Sequence, residues 1–114
     1  MQTEIGRTRS ALERLGISAR LFRPPGGSLD DGVVQAARRQ GMRVVTWSVD
    51  PEDWAGGATA GRVATRVLSA VRPGSIVLLH DGGGDRRATI AALPRIIRGI
   101  RARGLHLVAV PTRA

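Results

Sequence analysis

Five side chains that could do chemistry follow short apolar runs: Arg23, Asp53, Trp54, His80 and Asp81. A histidine titrates close to neutral pH, which makes it a ready general acid or base. A carboxylate beside it, such as Asp53, would orient the ring and stabilise its protonated form. An arginine can hold an anionic group through two hydrogen bonds. Proton transfer next to a charged partner is therefore the chemistry these types suggest. For His80 taken alone, a purely structural hydrogen-bonding role stays equally open.

Other chemistries lack their residues. The chain has no cysteine, so disulfides, thiolate zinc sites and a cysteine nucleophile are excluded. It has no lysine either, so the glycines at 82–84 cannot belong to a G-x-x-x-x-G-K-[ST] phosphate loop, and G-x-G-x-x-G is absent. No G-x-S-x-G supplies a nucleophile elbow. The two histidines, His80 and His106, fall far apart, and neither H-x-x-x-H nor H-E-x-x-H occurs. A metal site built wholly within this chain is not expected.

The elements that must position these residues alternate between helical and extended periods. Ile5, Leu12 and Leu15 share one face of a first helix, and Gly16 stands where a C-terminal cap belongs. ARLFR at 19–23 reads as a strand, stopped by the loop RPPGGS. Ser28 is a candidate cap for a helix reaching Arg39, with Asp30 and Asp31 in its first turn. RVVTWSV at 43–49 is a β-branched run that reads as a buried strand. The loop DPEDWAGGA follows, then a helix over about 59–71, the strand SIVLLH at 75–80, the loop DGGGD, and a helix over about 87–103 that Pro94 should kink. HLVAV at 106–110 reads as the last strand.

The order αβαβαβαβ implies an α/β fold of alternating units with a parallel sheet and right-handed crossovers. In such folds the chemistry gathers at the C-terminal ends of the strands. RPPGG, DPEDW and HDGGG all fall there, which would bring Arg23, Asp53, Trp54 and His80 to one face.

Bulk properties narrow the class further. With 114 residues, 42% hydrophobic and 24% charged, the chain has the composition of one small globular domain. No apolar run approaches the roughly 18 residues of a membrane span, and the first sixteen residues lack the apolar core of a signal peptide. Net charge is +9, and all 18 basic residues are arginine. Phosphate neutralisation on nucleic acid would use such charge. However, Phe22, Trp47 and Trp54 are the only aromatic residues, so there is no stacking platform, and no nucleic-acid-binding signature occurs. Arginines coating helix faces account for the charge, and no nucleic-acid partner is expected.

FRPPGG, SVDPEDW and IVLLHD, in this order and spacing, resemble the polysaccharide deacetylases. This family is also known as the chitooligosaccharide deacetylase (NodB) homology domain, or carbohydrate esterase family four. Its R-x-P-x-G, D-x-x-D-W and L-x-H motifs match Arg23 to Gly27, Asp50 to Trp54, and Leu78 to His80. The resemblance runs from about Ile5 onward. It implies part of a distorted (β/α) barrel and a hydrolase of amide bonds that removes N-acetyl groups from peptidoglycan or chitin-like amino-sugar polymers. His80 would be the general acid, Asp53 its orienter, and Arg23 the group that holds a catalytic-base aspartate. The Gly26 amide would help stabilise the oxyanion. Trp54 and Leu78 would wall the acetyl pocket, Pro24 and Pro25 would stiffen the groove, and Asp50 and Asp81 would support the loops.

The family's T-F-D-D-G and H-x-x-x-H motifs, which supply the base aspartate and the ligands of a zinc-like divalent ion, do not occur here. SLDDGV at 28–33 imitates the first, but it follows RPPGG and opens a helix, where acidic residues are expected on capping grounds. Residues 1–114 are thus expected to be the C-terminal half of a deacetylase domain, inactive as this chain alone. The expected partners are the sugar polymer, a missing N-terminal half, or a second copy pairing at an open sheet edge such as ARLFR. A non-catalytic remnant or carbohydrate-binding module is the alternative. The family also implies a location outside the membrane, at the cell wall or beyond.

Overall fold

The computed structural model describes residues 2–112, with the side chain of Gln2 excepted. The chain forms two compact units, one running through Thr46 and taking in Pro111, the other Trp47–Val110.

The first unit begins with helix α1 (Gln2–Arg14). Gly16 adopts a left-handed φ of 78° and ends the helix. Its N–H donates to Glu13 O at 2.9 Å, and Ile17 N–H donates to Leu12 O at 3.0 Å, a paired C-terminal cap. Ile5 is buried against Ala36, Ala37 and Met42. Leu15, expected on the same face, is instead 75% exposed. It lies beyond the last helical residue, where the 3.6-residue period no longer directs it inward.

Strands β1 (Leu21–Phe22) and β2 (Arg43–Val44) pair in parallel, Leu21 with Arg43 and Phe22 with Val44. Helix α2 (Asp31–Arg39) connects them. The pair is shorter than the apolar runs suggested, since two prolines directly follow Arg23 and remove ladder donors. Asp30, not Ser28, caps α2: its Oδ1 accepts from Val33 N–H at 2.8 Å. Ser28 closes the preceding 3-10 turn (Pro25–Gly27), two residues too early for the cap.

The second unit repeats the pattern. Val49 and Val77 form a parallel bridge, flanked by Ser48 N–H to Ile76 O at 2.9 Å and Leu78 N–H to Val49 O at 2.9 Å. Helix α3 (Ala60–Ala70) is capped by Thr59, whose hydroxyl accepts from Arg62 N–H at 3.2 Å. Helix α4 (Arg87–Ala102) runs on through Pro94. Val63, Ala64 and Val67 of α3 pack with Ala92, Ile96 and Ile100 of α4. The helices approach closely at Gly99, where a Cβ would stand 2.6 Å from Leu68 Cδ2.

HLVAV does not form the expected strand. Residues 106–110 make no backbone ladder bond among the described residues, and Leu107 and Val108 are 51% and 81% exposed. β-Branched composition favours extension, but a strand also requires a neighbour to bond. The fold is nonetheless α/β, with parallel contacts bridged by helices.

Candidate active site

The site grows from the loop after Val49. Asp50 Oδ1 accepts from Glu52 N–H at 2.9 Å, closing a tight turn. Glu52 takes a left-handed φ of 55° there. Pro51 is fully buried, and Arg66 of α3 donates to its carbonyl at 3.1 Å. Asp50 thus supports the loop, as the family resemblance implied. The fixed turn drives Asp53 inward until its side chain is wholly buried.

The Asp53 carboxylate accepts three hydrogen bonds. Oδ1 takes one from the His80 ring at Nδ1, 2.8 Å away. Oδ2 takes one from the His80 backbone N–H at 2.8 Å and one from the Thr89 hydroxyl at 2.8 Å. Burial alone would raise the carboxyl's pKa. The bonds from the His80 ring, the His80 backbone and Thr89 outweigh it and hold the pKa below the ordinary carboxylate value. An ionised carboxylate only accepts, so Nδ1 carries the proton of this bond. Nε2 is then the ring nitrogen left to exchange a proton with a reactant. The ring is about one-third exposed (34%), and Nε2 has no partner among the described residues.

The structure therefore brings Asp53 and His80 into the direct contact expected from the sequence. Trp54, 55% exposed, lines a cleft of about 460 Å³ together with Asp53, Gly83, Gly84, Arg86 and Arg87. Leu78 is buried. Arg23, Pro25 and Gly26 belong to the first unit. There Arg23 Nη2 donates to Thr46 O at 3.2 Å, Pro25 opens the 3-10 turn, and Gly26 has a left-handed φ of 69° that suits a residue without a side chain.

Asp81 does not support its loop as expected: it is exposed and makes no bond among the described residues. Arg86 Nε instead donates to Gly82 O at 2.8 Å, and Asp85 pairs with Arg87 at 2.7 Å. That pairing holds the Asp85 carboxyl down to about 2. Thr89 went unrecognised in the sequence. Its signal was there: Thr89, Ala92, Ile96 and Ile100 share one helical stripe, and Thr89 is the polar member of a buried row.

A divalent metal does not fit these residues. Both Asp53 oxygens and His80 Nδ1 are already engaged with one another or with Thr89. Among the described residues no group of three or more histidine, aspartate or glutamate side chains could hold an ion.

Parallel strand contacts crossed by helices, with an aspartate–histidine couple at a strand end, define a partial (β/α) fold with its polar site on the loops. No protein-family model matches the chain. It is 42% identical over 92 residues to a peptidoglycan-N-acetylglucosamine deacetylase of Bacillus cereus, covering 79% of this chain and 43% of that protein. The solved structure of a peptidoglycan N-acetylglucosamine deacetylase in complex with 4-naphthalen-1-yl-N-hydroxybenzamide superposes with a TM-score of 0.89 at 32% identity, over 97% of this chain and 52% of that one. A family 4 carbohydrate esterase from Streptomyces lividans, in complex with acetate, gives a TM-score of 0.83 at 27% identity, over 98% and 58%. The chain belongs to the polysaccharide deacetylase family, carbohydrate esterase family four. It spans less than half the length of the curated relatives it matches.

Proposed function

We propose that this chain supplies the proton-donating side of a metal-dependent deacetylase acting on N-acetylated amino-sugar polymers, peptidoglycan or chitin-like. The observation that carries this reading is the hydrogen bond from His80 Nδ1 to the buried Asp53 carboxylate. When the amide C–N bond of an N-acetyl group breaks, the departing amine nitrogen needs a proton. His80 gives it from Nε2, while Asp53 keeps the other ring proton at Nδ1 and so fixes the ring's orientation. Water addition to the carbonyl requires a base and metal ligands, and these come from polypeptide outside residues 1–114. Arg23 is assigned to holding that base aspartate and the Gly26 amide to the oxyanion. Trp54 and Leu78 are assigned to the acetyl pocket, and Pro25 to the stiffness of the groove. The substrate's polymeric nature suits action outside the membrane.

A reconstitution experiment tests this. The chain is mixed with the N-terminal half of the matched Bacillus cereus deacetylase, and acetate release from N-acetylated chitooligomers is measured. Release is expected from the mixture and not from the chain alone. It should be lost on His80→Ala substitution. Full release by the His80→Ala mixture would overturn the assignment.

A second reading, favoured by the exposure of Trp54 beside the cleft, is a carbohydrate-binding module without catalysis. It predicts chitooligomer binding by the chain alone that Trp54→Ala abolishes.

A further inference from the structure

We infer that Thr89 is a positioning residue for the Asp53–His80 couple, holding the carboxylate in the plane that keeps the ring proton at Nδ1. Its catalytic consequence rests on the deacetylase reading above, but the coupling itself does not.

The three donors on Asp53 are not equivalent. Two of them, the ring Nδ1 and the backbone N–H, belong to His80. They can move with the residue they are meant to fix. The Thr89 hydroxyl is the donor from elsewhere, in the first turn of α4. That helix is anchored by Ala92, Ile96 and Ile100 in the core. Thr89 is 3% exposed, so water cannot readily replace it at Oδ2. Its 2.8 Å bond ties the carboxylate to the packed helix pair. Without it, Oδ2 keeps only the His80 N–H, and the carboxylate plane is set by the residue it serves. An ionised carboxylate with one of its three donors missing in a buried site turns or draws in water to recover it. Either movement misaligns Oδ1 from Nδ1. Which imidazole nitrogen carries the proton depends on the bond the ring makes, so the tautomer reports directly on this alignment.

The test uses the whole chain with ¹⁵N-labelled histidine. The ring nitrogen shifts of His80 at alkaline pH, where the ring is neutral, give the fraction of Nδ1–H tautomer. Wild type is expected almost wholly in that form. Thr89→Val, which keeps the shape and removes the donor, should reduce it to a minority, and Thr89→Ser should restore it. A folded Thr89→Val that keeps the wild-type tautomer overturns the inference, as does a Thr89→Ser that fails to restore it. If Thr89→Val does not fold, Thr89→Ala is read in the same way. In the reconstituted mixture, Thr89→Val should lower kcat by about tenfold or more with KM unchanged, as misalignment of a reacting group does. If the tautomer responds while wild-type mixtures release no acetate, the deacetylase reading fails and the positioning role stands.

Discussion

The two units share one plan and use it differently. Each joins a parallel strand contact through a helix and places a proline-containing loop after a strand. In the first unit, the loop after β1 is shaped by backbone: Pro24 is buried, Gly26 is left-handed, and the exposed Arg23 reaches the Thr46 carbonyl. In the second, the loop after Val49 is shaped by side chains that end in a buried ionised carboxylate with three donors. The same architecture can thus present a charge to solvent or enclose one. Enclosing it couples the charge to folding, and the second unit is where chemistry and stability depend on the same atoms.

The comparison can be broken most sharply at the carboxylate. Asp53→Ala leaves the buried Thr89 hydroxyl and the part-buried His80 amide without an acceptor and should cost about 3 kcal/mol in urea denaturation. Arg23→Ala should change stability by about 0.5 kcal/mol or less, since exposed polar contacts contribute little. Equal losses would erase the distinction between the loops. A second contrast is pH. The folded pKa of Asp53 is depressed, so its contribution is fully present above the unfolded carboxyl pKa and is lost as pH falls through the lower folded value. Thermal melts of wild type should therefore weaken with acidification below about pH 4. Asp53→Asn should flatten that dependence, and an unchanged slope in this variant would mean another carboxylate sets it. A third contrast concerns the caps. Asp30→Ala should lower stability by about 1 kcal/mol through loss of the α2 cap. It should leave acetate release by the reconstituted mixture unchanged, and a loss of turnover without a loss of fold would give Asp30 a role beyond its cap.

Much of this arrangement was legible in the sequence, for identifiable reasons. The bounds of α3 and α4 followed from amphipathic periods, and the loops from proline and glycine. The Asp53–His80 contact was legible because both residues sit just beyond strand-like runs that a parallel fold aligns. What failed was whatever depended on a neighbour or an exact count. HLVAV has strand composition but no ladder partner among the described residues. Ser28 and Asp30 are both good caps, and only the preceding 3-10 turn decides between them. Thr89 reads in isolation as an ordinary helical residue, and only its place on the stripe of Ala92, Ile96 and Ile100 marks it as buried.

The His80 amide has one more consequence. It donates to a side chain and not to a neighbouring strand, so the carboxylate that seats the ring also ends the local pairing. Val49 and Val77 meet at the parallel bridge, and Asp53 and His80 meet again a few residues later. Two short arms of chain are therefore closed at both ends, like the links of a measured loop. Within such a loop the number of residues is itself a specification. One residue added between Val77 and His80 would shift the ring out of register with the Asp53 carboxylate. Length in these arms should consequently tolerate far less variation than side-chain identity at their exposed positions.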